Sequence, residues 1–271
     1  MKSMLKKMSM GLVAGAFTAL PLVSHAEEAE AAAVSASLDV PVLSAYVWRG
    51  QVLNDEAVAQ PTFTISKGGF SLNWWGNFNL TDNATGDDAE FSEHDITVSY
   101  STTCPLTGAG LTFGVVNYDF PNVLANVGTT NASLTSDTRE AFVVMSFGDV
   151  VLAPTLSVYY DFKEADGFYA SLGISHSLAI TDELGIDLGA SIGGASSDWG
   201  DFYYGEAEGL TDASVSASLP ISLSESVSLT LGVAYTVLLE DAEDAVDASN
   251  GGLYSGETDH VVGSAKLSFA F

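Results

Sequence analysis

A chain of 271 residues with 35 acidic against 8 basic side chains, a net charge of −27, lacks the basic footprint that nucleic acid or anionic lipid headgroups require. Cys104 is the only cysteine, which excludes an intramolecular disulfide and a cysteine-built metal site. With 47% hydrophobic residues the chain has the apolar content of a folded domain, not of a disordered one.

The first element in chain order is a leader. Lys2, Lys6 and Lys7 precede an apolar stretch over residues 11–23, and Ser24-His25-Ala26 is a small-x-small exit. This is the pattern of a secretory signal peptide over residues 1–26, cleaved after about Ala26. The apolar stretch is shorter than the roughly 20 residues of a membrane-spanning helix. Losing those three lysines from the 8 basic residues leaves 5 against the same 35 acids, a net charge of −30. Residues 27–35 form a short acidic, alanine-rich segment, and residues 36–271 are expected to fold as one unit.

From there the chain alternates with period two, which on an extended backbone sends the two sets to opposite faces. Residues 38–48 place Leu38, Val40, Val42, Ser44, Tyr46 and Trp48 on one face, against Ser37, Asp39 and Arg49. Thr62–Lys67 is a weaker segment. Residues 70–80 set Phe70, Leu72, Trp74 and Phe78 against Ser71, Asn73, Trp75 and Asn77. Ile96, Val98 and Tyr100 alternate with Asp95, Thr97 and Ser99, and residues 111–120 and 141–147 are weaker, the latter apolar at both parities. The same texture recurs over 156–163, 168–178, 184–193, 214–219, 227–235 and 261–271. Twelve segments result, an even number, as a barrel with both termini at one end requires.

The connections alternate too. Those at 68–69, 104–110, 148–153, 181–183 and 224–226 are compact. Those at 50–59, 81–90, 121–137, 196–210 and 240–256 are long and polar, with 164–167 the short exception. No segment after the leader reaches the roughly 18 consecutive apolar residues of a membrane helix. A soluble β-sandwich also alternates, but its water-facing side usually carries lysine and glutamate, whereas here it is Ser, Thr, Gly and Asn. Aromatic residues gather near strand ends, among them Phe70, Tyr100, Phe120, Phe147, Phe162 and Phe168, where interfacial girdles belong. The expected fold is an all-β, antiparallel up-and-down transmembrane β-barrel of about twelve strands, with short periplasmic turns and long acidic extracellular loops. The final Leu267, Phe269 and Phe271 look like the terminal assembly signal of bacterial outer-membrane proteins.

The run Ser44-Ala45-Tyr46-Val47-Trp48-Arg49-Gly50, followed by Gln60-Pro61 and by Gly69-Phe70-Ser71-Leu72-Asn73-Trp74-Trp75-Gly76-Asn77, resembles the opening of the TorF-type porin family. The resemblance implies a channel in the bacterial outer membrane, passing small hydrophilic solutes or ions. Its expected partners are outer-membrane lipid, with periplasmic chaperones and the barrel-assembly machinery during biogenesis. Nucleic acid is not expected, and a homo-oligomer is compatible with the class.

Parity assigns Arg49, Glu93, Asp95, Asp161, Lys163, Asp187 and Lys266 to the lumen, with Arg49 ending an ascending strand near the outer mouth. Such charges either build a constriction field or bridge and stiffen the wall; the acidic excess favours cations. The run Glu240, Asp241, Glu243, Asp244 and Asp247 has oxygen ligands but not the Asp-x-Asp-x-Asp-Gly spacing of a calcium loop, so it is read as a solvated charge run and no metal or cofactor is expected. Two alternatives to the channel stand. One is a structural or surface-interaction barrel with an occluded lumen, for which the inward Trp75 and Tyr159 speak. The other is an outer-membrane hydrolase, for which Ser92 lies two residues from His94 on one face, without a supporting acid; His176 and His260 have no partner of this kind. The expectation is of a non-enzyme.

Overall fold

The computed structural model describes residues 33–81, 89–121, 137–181, 184–248 and 256–271. The leader over 1–26 and most of the loops over 81–90 and 121–137 lie outside the described residues. The fold is a closed antiparallel barrel of twelve staves.

The staves are β1 (Ser35–Leu43), the interrupted pair β4 (Val58–Ala59) and β5 (Thr62–Lys67), and then β6 (Phe70–Asn79), β7 (Phe91–Thr103), β8 (Gly110–Asp119) and β9 (Asp137–Ser146). They continue through β10 (Thr155–Asp161), β11 (Gly167–Ala179), β12 (Gly185–Ala195), β13 (Gly209–Ser222), β14 (Val227–Leu238) and β15 (Asp259–Ala270). Each pairs with its sequence neighbour, and β15 closes on β1 in the register Ser37↔Ala270 to Leu43↔Ser264. Closure removes both sheet edges, so the wall strands pair on both sides. The second stave breaks at Gln60-Pro61, where proline has no N–H to give; the Gln60 amide instead reaches the Pro41 carbonyl at 3.0 Å.

The expected alternation of connections holds. Gly68-Gly69 joins β5 to β6 as a two-residue turn with both φ positive (57° and 87°), the geometry that matches strand twist in a tight hairpin. The long connections carry two helices, α1 (Ser197–Tyr203) and α2 (Glu240–Ala248). Helix α2 occupies the acidic run: Asp241, Glu243 and Asp244 are exposed, while Ala242 and Val246 are buried beneath them. The solvated reading stands for those three acids, on a helix that sequence reading left as loop.

The outer face is apolar and bare. Phe70, Leu72, Val98, Phe113, Val143, Leu172, Val215 and Val261 are all exposed, Phe70 at 63% and Val215 at 55%. Aromatic rings cluster at both ends of this surface. Phe70, Tyr100 and Phe113 stack near the tight turns, with centroids 4.7 and 5.6 Å apart. Trp74, Phe78, Phe91 and His94 group toward the loop end, as do Tyr160 and Phe168.

One expected strand is corrected. The segment 38–48 does not run on as a stave to Trp48. It leaves the wall at Leu43, where the Ser44 amide bonds the Gly263 carbonyl at 2.9 Å and the Ser44 hydroxyl accepts from the Gly263 amide at 3.0 Å. The chain then makes β2 (Tyr46–Trp48) and β3 (Gln51–Asn54), a separate two-stranded hairpin. Every residue of 45–52 is buried.

Candidate functional site

The hairpin β2–β3 lies inside the barrel and belongs to the same apolar cluster as wall and loop residues. Tyr46, Val47, Trp48 and Val52 share that cluster with Leu238 of β14, Val262 of β15, Tyr169 of β11, Trp199 of α1 and Ala242 of α2. The loop-end half of the lumen is therefore filled. A polar stretch expected at 50–59 instead contributes Val52 and Val58 to a core.

The turn of the hairpin is Arg49-Gly50, with φ of 47° and 85°. Two positive φ values make the turn that β-hairpins favour, but its first position usually holds Asn, Asp or Gly. Gly50 is required twice over: its φ is left-handed, and a Cβ there would lie 2.5 Å from Leu238 Cδ2 and 2.8 Å from Asp212 Cβ. Arg49 accepts the same backbone region at a cost of roughly 1 kcal/mol or more. Its contacts hold it there.

Those contacts form an enclosed arginine site. Arg49 donates from its two terminal nitrogens to the two oxygens of Glu140 at 2.7 and 2.6 Å. Four rings surround its guanidinium carbon: Tyr169 at 4.2 Å, Trp48 at 4.5 Å, Tyr159 at 4.6 Å and Trp199 at 4.9 Å. The Arg49 carbonyl accepts from the Tyr204 hydroxyl at 2.7 Å. Glu140 also accepts from Tyr118 Oη at 2.8 Å and Trp199 Nε1 at 3.2 Å, so four donors converge on one carboxylate. A buried pair of this kind adds little net stability, but losing one partner strands a charge and costs about 3–5 kcal/mol.

Trp199 reaches the site because α1 presses onto the wall at Gly167. A Cβ at Gly167 would stand 2.4 Å from the Trp199 amide nitrogen, so only glycine permits the approach. From α1, Tyr203 donates to Asp161 at 2.6 Å and packs against Trp48 with centroids 5.2 Å apart and the rings tilted by 59°.

Further acids ring this core. A register shift in the β6–β7 ladder between Asn77 and Phe78 puts both Ser92 and Glu93 inward. Tyr46 Oη donates to Glu93 at 2.8 Å, and Asn77 donates to Ser92 Oγ at 2.8 Å. Asp95, one pleat on, has one oxygen buried without a hydrogen-bond partner among the described residues, and both polar side-chain atoms of Gln51 are in the same condition. Asp161 accepts from Thr138, Tyr203 and two backbone amides, and Asp212 accepts from Tyr169 at 2.9 Å and Thr211 at 3.0 Å.

The turn-end half of the lumen differs. Many of its inward positions are small and polar, with Ser157, Ser171, Gly173, Ser191 and Ser216 only half-buried, while Phe142 and Val144 of β9 are buried among them. Hydroxyls pair across adjacent staves, Ser66 with Ser71 at 2.8 Å, Ser101 with Thr112 at 2.9 Å and Ser191 with Ser214 at 2.9 Å.

Of the seven residues that parity assigned to the lumen, Arg49, Glu93, Asp95 and Asp161 come together in the filled half. Arg49 sits at the tip of the inward hairpin, not at the end of a wall strand near the mouth. Lys163 lies past the end of β10 at the loop rim, bridging Asp137 at 2.5 Å and Glu164 at 3.6 Å. Asp187 and Lys266 belong to the other half: Asp187 accepts from Ser177 at 2.6 Å, and Lys266 stands in register with Thr230 and Pro41. Sequence reasoning missed Glu140, Asp212, Tyr169 and Trp199. Glu140 was discoverable, since Thr138 and Glu140 extend the inward parity of the β9 segment toward its N-terminus.

The serine–histidine juxtaposition does not form. The same register shift leaves His94 on the outer face, stacked on Phe91 at 4.7 Å and Trp74 at 6.0 Å, while Ser92 faces inward. Among the described residues no group of three or more His, Cys, Asp or Glu side chains could hold a metal ion.

A family model described as a bacterial protein of unknown function (Gcw_chp) matches residues 26–262. No curated protein matches the chain. Solved structures with partial likeness include the NanC porin, 12% identical, with 86% of this chain and 98% of that one covered at a TM-score of 0.48. An outer membrane channel from Pseudomonas putida F1 is 9% identical, covering 90% and 97% at 0.47. The outer membrane phospholipase A from Escherichia coli is 7% identical, covering 86% and 95% at 0.42.

Proposed function

We propose that this chain, which belongs to the Gcw_chp family of bacterial proteins, is a porin-like outer-membrane channel whose passage is closed, in the conformation described, by the inward hairpin β2–β3. The observation that carries the reading is the division of the barrel into two unlike surfaces. The outer face is a continuous exposed apolar belt between aromatic clusters, which water would not tolerate and a bilayer requires. The turn-end lumen is lined mainly by hydroxyls and glycine, with Asp187 and Lys266 among them, which suits water and small hydrophilic solutes. The tight turns then face the periplasm, and the leader over 1–26 and the terminal Leu267, Phe269 and Phe271 supply export and barrel assembly.

The plug is held as a movable element would be. It leaves the wall at Ser44 and returns at Val58, and much of its grip is polar: Arg49 on Glu140, Tyr46 on Glu93, Asn54 on Asn79. Six buried carboxyl groups, those of Glu93, Asp95, Glu140, Asp161, Asp187 and Asp212, face a single buried cation among the described residues, Arg49; once an opened passage admits water and they ionise, it prefers cations. Of the segments that resemble TorF-type porins, 44–50 forms the first arm and turn of the plug, while Gln60-Pro61 and 69–77 belong to the neighbouring wall staves. Planar-bilayer recording tests the reading. Wild-type protein should show infrequent, cation-preferring openings, and replacing residues 46–54 by a short Gly-Ser link should give a larger, steady conductance. A silent bilayer for both proteins would favour the second reading, a structural barrel with an occluded lumen, which the filled half of the lumen supports.

A further inference from the structure

Arg49 occupies a site that is largely built without it. Glu140, Tyr118, Tyr159 and Tyr169 stand on the wall staves, and Trp199 comes from the β12–β13 connection; only Trp48 travels with the hairpin. The carboxylate is fixed by Tyr118 and Trp199 independently of its ion pair. Two parallel bonds at 2.7 and 2.6 Å to the two oxygens of one carboxylate match the planar fork of a guanidinium, and a single-point ammonium cannot reproduce them. Aromatic faces around the same group add cation–π attraction that strengthens when water is excluded. Meanwhile Arg49 reaches this position from a left-handed backbone with φ of 47°, so its own residence carries strain that a free ligand would not.

We infer that the Arg49 side chain is a resident stand-in for the transported or gating solute, and that the pocket of Glu140, Tyr118, Tyr159, Tyr169 and Trp199 binds small guanidinium-bearing cations. This rests on the reading of the barrel as a plugged channel. A solute carrying that group competes with Arg49 for Glu140, and its capture releases the hairpin tip. The lumenal excess of buried carboxylates favours a cation at this point whether or not the hairpin supplies it.

The test uses the refolded mature protein in detergent and does not depend on conductance. Arg49→Ala should lower the thermal midpoint, and millimolar methylguanidinium should raise it again, saturably, by about 5 °C. Tetramethylammonium or sodium at the same concentration should not, and the double variant Arg49→Ala/Glu140→Ala should show no response. Equal shifts with all three cations, or no shift, would overturn the inference. If Arg49→Ala fails to refold, as judged by unchanged gel mobility on heating, the wild-type protein is titrated with methylguanidinium instead. Release of the tip carries Trp48 toward water, so a saturable red shift of tryptophan emission is expected; an unchanged spectrum would overturn the inference. Absence of channel activity would sink the proposed function, and it would leave these binding readouts interpretable.

Discussion

Arg49 and Glu140 are 91 positions apart and meet inside the barrel through a two-pronged ion pair with both side chains almost fully buried. The pair ties an element that has left the wall to an element of the wall, and it does so at the one tight turn of the hairpin. Whatever moves the hairpin must break it.

Glu140→Gln should therefore be more damaging than the double replacement Arg49→Leu/Glu140→Leu. The single change strands a buried guanidinium and is expected to lower stability by about 3–5 kcal/mol, while removing both charges should restore most of it. Thermal unfolding in detergent of Arg49→Leu, Glu140→Leu and the double variant gives the coupling. Additive losses would mean that the pair contributes no linkage between plug and wall.

Gly50→Ala and Gly167→Ala test the two close approaches that seat the plug. At Gly50 the added methyl meets Leu238 and Asp212 and adopts an unfavourable φ; at Gly167 it meets the backbone of Trp199. Each should cost about 1–3 kcal/mol and raise the frequency of channel openings, whereas Gly148→Ala, with open space around it and no left-handed backbone, should leave openings unchanged. Single-channel open probability reads the comparison.

The two faces of one stave should respond oppositely to charge. Val215 points out and is exposed, while Ser216 points into the lumen. Val215→Arg puts a charge on the lipid-facing surface, should cost about 2–4 kcal/mol and should reduce the heat-modifiable, membrane-assembled fraction. Ser216→Arg should assemble normally and narrow the passage of the plug-deleted form. Equal assembly of both variants would contradict a lipid-facing exterior.

Cys104 reports orientation and reactivity. It lies in the turn between β7 and β8, half-buried, and a hydrogen bond with the Thr107 side chain, aided by the backbone amides of Leu106 and Thr107, holds its thiol pKa below the ordinary value. A membrane-impermeant maleimide should fail to label it in intact cells and label it once the outer membrane is permeabilised. Because the lowered pKa favours thiolate, the labelling rate should rise at lower pH than for a free thiol, and Thr107→Val should move that profile upward. Labelling in intact cells would reverse the proposed orientation.

Much of the barrel is legible in the sequence. The outward set Leu72, Val98, Leu172 and Val215 follows directly from parity, because in a closed sheet one face meets one environment throughout and the side-chain period is two. Tight turns such as Gly68-Gly69 and long connections such as 196–210 likewise marked the two ends, since turn chemistry is local. The hairpin at 46–54 was not legible as such. The hairpin arm is buried on both faces, but its sequence alternates as a wall strand does, so Tyr46 and Trp48 continue the pattern of β1 while the backbone has already turned inward. The turn at Arg49-Gly50 lacked the usual Asn or Asp, and a register shift of one residue at Ser92 reversed the face of a neighbour.

The sequence by itself thus determined a closed β-structure with an apolar exterior and an inward set rich in small polar residues. Tertiary structure alone decided that Arg49 sits in a cage with Glu140, because that pairing joins staves and loops whose separation in sequence carries no periodic signal. Local pattern sets which way a side chain points. Only the closed barrel sets what it meets.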